Sequence, residues 1–490
     1  MKKYIIYAAA VTSLSITACR KIETDGEPFI VEVPGTGGGG GVAGKNVTLS
    51  GHITKDTTLL AIDNNIITGL VYVDAGVTLT VQKGATVKGA YSGTNTAALI
   101  IKRGAKLMAV GTQEDPIIFT SASPTPTSGD WGGIELLGKA AINSSNGGQP
   151  GLYIPEGGFN TAAGDGLAGS GDAIAPAPVN DDNSGTLQYV RIEYAGYAFL
   201  PNQEINALTM ACVGSGTTID HIQVSYAKDD AFEWFGGTVN CKYLIAYKTQ
   251  DDDFDTDNGF SGSVQFGLIV RDSSIADVSK SESFESDNDG TGSALTPQTK
   301  AVFCNVSSFG PLATPNNIGN SNYQGAAVQI RRNSSLSIFN SAFVGWSTGI
   351  LIDAGLGTPT DKNITSGTLQ LSGILLVSCK TPVAYTPSSS APTGETLATI
   401  SNWFTGNLKN KILTQNTEQA IYTRPFDYLS PDWGPFGNSA VVIPAASNTN
   451  FDDPILTARP FITKVDFIGG IAPSGENANW HKGWTKFNVK

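Results

Sequence analysis

The chain has 490 residues, 15% of them charged, and a formal net charge of −12. That acidic balance excludes nucleic acid as a partner class, because basic patches supply most of such affinity. With 57 glycines, 24 prolines, abundant Val, Ile, Thr and Ser, and no long amphipathic helical pattern, the composition is β-rich and turn-rich.

Lys2 and Lys3 precede an apolar stretch from Tyr4 to Ile16, and small residues lead into Cys19. Basic, then apolar, then small is the order of an export signal, and the apolar run is too short to span a bilayer comfortably. The run Leu14-Ser15-Ile16-Thr17-Ala18-Cys19 resembles the bacterial lipobox. That resemblance implies cleavage after residue 18 and acyl chains on Cys19, where each buried methylene adds about 0.8 kcal/mol of anchoring. An ordinary signal peptide with a chance cysteine is the simpler alternative. Residues 19–44 carry Glu23, Asp25, Glu27 and Pro34, then the glycines Gly37 to Gly41. Such a chain is a flexible tether, and about 25 residues reach roughly 25–30 Å. Its acidic residues loosely resemble the surface-export signal of Bacteroidetes lipoproteins, and Arg20 stands where an aspartate would favour inner-membrane retention. The expected organisation is a signal peptide over 1–18, a lipidated cysteine and spacer over 19–44, and a folded domain over 45–490. The expected location is the outer membrane, lipid-anchored and facing the cell exterior.

The folded region opens with a small repeat of the form apolar-x-x-Gly-x-x-apolar. Its copies are Val73-Gly76-Leu79, Val81-Gly84-Val87 and Ile101-Gly104-Leu107. Each reads as strand, tight glycine turn, strand. Further along, Val190-Arg191-Ile192-Glu193-Tyr194 is matched by Ile222-Gln223-Val224-Ser225-Tyr226 and then by Tyr243-Leu244-Ile245-Ala246-Tyr247. Ile338 to Ile352 is matched by Leu371 to Tyr385. Coils of about 20 to 33 residues with variable insertions predict an all-β parallel β-helix. The insertions, residues 143 to 184 and 386 to 396, are polar and rich in Gly, Pro and Ser, and read as loops that carry recognition.

Several segments resemble a group of secreted or lipid-anchored β-helix proteins of the Bacteroidetes. They include Lys83-Gly84-Ala85-Thr86-Val87-Lys88-Gly89, Trp131-Gly132-Gly133, Asp230-Ala231-Phe232-Glu233-Trp234-Phe235-Gly236-Gly237 and Gly483-Trp484-Thr485-Lys486-Phe487. The resemblance spans nearly all of residues 45 to 490 and implies a right-handed parallel β-helix. It implies no settled activity, because the fold hosts lyases and inert surface proteins alike. Cys212, Cys241, Cys304 and Cys379 lack CxxC spacing and read as buried small residues. A Cys212–Cys241 bridge between neighbouring rungs is an alternative in an oxidising compartment. His52, His221 and His481 form no recognisable metal or catalytic pattern.

The chemistry concentrates in three segments that align on a phenylalanine. They are Asp229-Asp230-Ala231-Phe232-Glu233, Asp251-Asp252-Asp253-Phe254-Asp255-Thr256-Asp257 and Ser283-Phe284-Glu285-Ser286-Asp287-Asn288-Asp289. If the phenylalanines point inward, strand alternation puts Glu233, Asp255 and Glu285 in one outward column and Asp257 and Asp287 in a second. Carboxylates that close repel unless something neutralises them, and calcium, with six to eight oxygen ligands, is the natural ion. The expected metal set is Glu233, Asp253, Asp255, Asp257, Glu285, Asp287 and Asp289; the alternative is that these carboxylates cap turns. Trp234, Phe235 and Trp131 are candidate sugar platforms and Arg331 a candidate anion or acidic-face partner, with core packing and a surface ion pair as the plainer roles.

No catalytic residue can be assigned. The expected function is a non-catalytic, surface-exposed lipoprotein that binds a glycan or an outer-membrane protein partner, in the manner of accessories to nutrient-uptake complexes. The alternative is a calcium-dependent polysaccharide lyase or related glycan-degrading enzyme with Lys228, Lys248 or Arg331 as its base. An outward basic residue within reach of the acidic columns, in an open groove, favours the enzyme.

Overall fold

A computed structural model describes residues 44–91, 96–157, 159, 164–200, 203–311, 325–413, 421–437 and 450–487. The signal segment, Cys19 and the spacer up to residue 43 lie outside the described residues. Among those described, no helix is long and apolar enough to cross a membrane.

The body is a right-handed parallel β-helix built on one 26-stranded sheet that winds through three faces. Val81, Ala109, Leu187, Ile219, Cys241 and Val264 follow one another up the first face. Val87, Phe119, Ile192, Val224 and Ala246 do so on the second. On the third face Leu99, Ile134, Leu208, Phe232, Phe254, Phe284 and Val328 stack. These inward residues are buried and merge into one apolar cluster along the axis. No single rung has enough apolar area to fold alone, so burial is gained only by stacking.

Strands that serve two faces bend at a single residue of positive φ. Gly185–Glu193 turns at Tyr189, Thr218–Ser225 at His221, Asn240–Tyr247 at Tyr243, Ser263–Val270 at Phe266 and Val302–Phe309 at Asn305. Their φ values run from 51° to 66°, a region costing non-glycine residues roughly 1–3 kcal/mol. Ring stacking offsets that cost. Tyr189, His221, Tyr243 and Phe266 form a continuous column with centroid separations of 4.3, 4.3 and 4.9 Å, and aromatic pairs contribute about 0.5–1.5 kcal/mol each.

The repeats map onto the rungs in two different ways. In the glycine repeat the first and third copies stack, with Val73 on Ile101, Leu79 on Leu107, and the Gly76 N–H on the Gly104 carbonyl at 3.0 Å. The middle copy is the next corner of the same rung. Likewise Ile222 pairs with Leu244, one residue beyond the sequence match, because Tyr243 is the bend residue under His221. The pair Ile338/Leu371 and Ile352/Tyr385 stacks as matched. Cys212 and Cys241 are free, and they sit in different apolar clusters.

A ten-residue helix, Leu397–Gly406, escaped the sequence patterns. It starts with a reciprocal Thr396/Thr399 capping box and sends Ile400 and Phe404 into the end of the core, which is how a solenoid shields its last rung. The C-terminal segment then runs back along the outside of the first and second faces. Thr463 and Gln265 exchange two hydrogen bonds of 2.7 Å, the Asn305 amide donates to the Phe467 carbonyl at 2.9 Å, and Gln223 and Lys486 exchange two more of 2.9 Å. Trp480 and Trp484 are buried there against Ile245, Tyr247 and Leu268.

Phe254 touches Phe232, Phe284 and Phe303 at centroid distances between 5.3 and 5.7 Å. Phe254→Ala should therefore destabilise the fold by about 3–5 kcal/mol, read as a lowered midpoint of thermal or denaturant unfolding. An unchanged midpoint would show that the ring column does not hold these rungs together.

Candidate functional site

The third face carries the site. Phe232, Phe254 and Phe284 point inward and are fully buried, so the next residue of each strand faces out. Glu233 pairs with Asp255 and Asp255 with Glu285, giving one outward column. Two residues on, Asp257 is followed by Asp287, whose N–H donates to the Thr256 carbonyl on the rung before. A third acidic column lies two residues before each phenylalanine. There the Asn206 Oδ1 accepts from the Asp230 N–H at 3.2 Å, the Asp230 carboxylate from the Asp252 N–H at 2.9 Å, and the Asp252 carboxylate from the Glu282 N–H at 2.6 Å. The phenylalanine alignment contains Asp230 and Asp252, and Glu282 directly precedes its third segment, but outward alternation after the ring does not point to these positions.

The two outward columns, with Asp230 from the third, line a cavity of about 440 Å³, and Asp252 and Glu282 are buried behind it. Its wall holds eleven carboxylates, from Glu156 and Glu204 in the long loops to Glu285 and Asp287 on the solenoid, against Lys228, Arg331 and Arg332. Three groups bring carboxylate oxygens within 4.8 Å of one another: Asp229/Asp230/Asp251, Asp230/Glu233/Asp255 and Asp252/Glu282/Glu285. Burial, then neighbouring negative charge, pushes the carboxyls of Asp230, Glu233 and Asp255 well above the usual range. Burial also raises Asp257, next to Asp287, to about 7, and raises Glu285 to about 7 in spite of Arg331. The Asp255 Oδ1 is buried without a hydrogen-bond partner. A hard cation with flexible oxygen coordination suits this donor set.

Arg331 bonds Glu285 and reaches Asp287 at 2.8 Å, while Arg332 reaches Asp287 at 2.6 Å. Burial works against the Arg331 charge, but Glu285 and Asp287 hold it firmly protonated, which disqualifies it as a base. Lys248 is engaged elsewhere, 2.9 Å from Asp272 and over the Tyr428 ring. Lys228 lines the cavity, and among the described residues its ammonium forms no ion pair.

Asp253, Asp289 and Trp234, named from sequence, do not belong to this cavity. Asp253 is fully buried and paired with the equally buried Arg271 at 3.1 Å; as the residue before the inward Phe254 it sits at the turn, not on the outward column. Asp289 caps its own turn, accepting from the Thr291 N–H and hydroxyl at 2.9 and 2.6 Å and from the Ser293 hydroxyl at 2.6 Å. Trp234 alternates inward with Phe232 and stacks on Phe260 at 5.4 Å, so it is core and offers no platform. The cavity also recruits Tyr153 and Glu156 from the long insertion. That loop read as a recognition element, but nothing in its composition indicated that it returns to the acidic face.

A family model described as a pectate-lyase like beta helix domain matches residues 51–419. No curated protein and no solved structure matches the chain.

The raised carboxyls make stability depend on pH with a definite sign. A carboxyl whose folded pKa exceeds its unfolded value stabilises the fold at low pH, and that contribution is lost as pH rises through the folded value. The loss runs from the unfolded values up through the folded values of about 7 for Asp257 and Glu285, so without divalent ions the melting temperature should still be falling between about pH 6.5 and 8, and calcium should restore it at the upper end. Buried His481, lowered to about 4 by burial and Lys482, acts in the opposite direction below its unfolded value of 6.5 and leaves this window open. A melting temperature flat across the window, with or without calcium, would contradict the electrostatic account.

Proposed function

The chain belongs to the pectate-lyase-like β-helix family, and on that premise we propose that it is a calcium-dependent receptor for acidic polysaccharide on the cell surface. One observation carries this reading: eleven carboxylates and three cationic side chains line a single cavity. Such an excess of negative charge calls for a bound counter-ion or for protons. Asp230, Glu233 and Asp255 would hold one calcium ion, with Asp252, Glu282 and Glu285 as a second donor group. Calcium there would neutralise the wall and attract the carboxylates of a uronate chain. Arg331 and Arg332, positioned by Asp287, would meet further anionic groups at the upper end of the cavity. Cys19 would tether the domain to the outer membrane through the glycine-rich spacer, facing outward beside an uptake complex, as the Bacteroidetes lipoprotein resemblance implies.

Cleavage is the second reading, and the position of Lys228 favours it. As general base, the Lys228 side chain would take the proton next to a uronate carboxylate, and the glycosidic oxygen would leave to give an unsaturated sugar. The cation would stabilise the developing negative charge.

Calorimetric titration should show calcium binding with a Kd between about 10⁻⁶ and 10⁻³ M, lost in Asp255→Asn/Asp257→Asn. Absence of binding in the wild type would remove the basis of both readings. With calcium present, an ultraviolet-absorbing unsaturated product from polyuronate, abolished in Lys228→Ala, would select cleavage over binding. In cells, Cys19→Ala should move the protein from the membrane fraction to the soluble fraction; retention in the membrane would refute the anchor.

A further inference from the structure

Next to the carboxylates the cavity has an aromatic wall, made by a ring from an insertion lying over a ring of a rung. Phe235 ends the strand Phe232–Phe235, pairs with Asp257 on the rung above, and is 7% exposed. The Tyr153 ring lies over it at a centroid distance of 4.8 Å, tilted by 41°, and both residues line the cavity. Among the described residues the Tyr153 hydroxyl has no hydrogen-bond partner. Burial and the charges of Glu233 and Asp257 push its pKa well up, which places it on the acidic side as a neutral donor.

The wall is held firmly in place. Leu152–Tyr153 pairs antiparallel with Ala168–Gly169, and Leu152 is buried beneath it. The Gly169 N–H donates to the Gly138 carbonyl of the solenoid at 2.9 Å. Gly169 has φ of +90°, and a Cβ there would collide with the Gly151 carbonyl, so only glycine fits. Arg103, 4% exposed, clamps the same hairpin through the Gly169 carbonyl at 3.0 Å and both Asp172 oxygens at 3.1 and 2.6 Å. A fixed ring costs little ordering entropy when a ligand stacks on it.

We propose that Tyr153, backed by Phe235, is the sugar-stacking subsite of this cavity. It takes the C–H face of a pyranose whose carboxylate is turned toward the acidic columns. The assignment rests on the acidic-polysaccharide reading and adds to it the residue that recognises the ring. It also moves the platform from Trp234, which is core, to an insertion that a bare solenoid of this kind need not carry.

The test is the affinity of wild type, Tyr153→Phe, Tyr153→Leu and Tyr153→Ala for an oligogalacturonate in calcium, with calcium titrated alone into each and the melting temperature recorded. Tyr153→Ala and Tyr153→Leu should each lose roughly tenfold in sugar affinity while calcium affinity is unchanged. Tyr153→Phe should stay within about twofold, since the ring is retained. Leucine keeps the hairpin filled, so a loss shared by Leu and Ala is not an unfolding effect. Wild-type sugar affinity in Tyr153→Leu would overturn the subsite and leave the calcium reading standing. Calcium binding without any oligogalacturonate binding in the wild type would overturn the acidic-polysaccharide reading and the subsite with it.

Discussion

Every part of this molecule follows from one constraint: in a parallel solenoid each residue lies on its counterpart about 4.8 Å away. Like therefore meets like. On the inside this is favourable, and Phe232, Phe254 and Phe284 stack into a ring column that no single rung could bury. At the bends it makes strained backbone affordable, because Tyr189, His221, Tyr243 and Phe266 repay positive φ with ring contacts. On the outside the same rule is unfavourable, since it stacks Glu233, Asp255 and Glu285 against one another.

The chain deals with the stacked acids in two different ways. Where a donor is within reach, the carboxylate is absorbed into the architecture. Asp253 pairs with Arg271, Asp289 caps its turn, Asp287 receives two guanidinium groups, and Asp230 and Asp252 each accept a backbone N–H from the next rung. Where no donor is within reach, as at Asp255 Oδ1, the repulsion stays in the fold as a raised pKa. The candidate site draws on acids of both kinds: Asp230 and Asp287 keep structural bonds and still line the cavity, while Asp255 has an oxygen left over.

Much of the fold was legible because stacking writes periodicity into the sequence. The phenylalanine-anchored segments gave the correct register for both outward columns, and the Arg331 contact with the acidic face followed from strand alternation. Two things were not legible. Bend residues break the alternation without an obvious mark, so Tyr243 passed for a strand residue and displaced the match with Ile222 by one position. Long-range returns leave no local trace either: Tyr153 and Glu156 reach the cavity only because Arg103 and Gly138 hold their hairpin down. Trp234 illustrates a third limit, since a large aromatic on a strand looks the same whether it faces the core or the solvent.

The returning C-terminal segment has a consequence for the order in which the chain assembles. Its contacts join residues as far apart in sequence as Gln223 and Lys486, or Gln113 and Lys482. A solenoid can nucleate at any rung and grow by neighbours, but this segment has nothing to dock on until the rungs around residues 223, 265 and 305 are all in place. Once docked, it couples rungs that otherwise touch only their neighbours. Opening of one of these rungs then requires release of the segment that crosses it, which makes the middle of the solenoid open cooperatively.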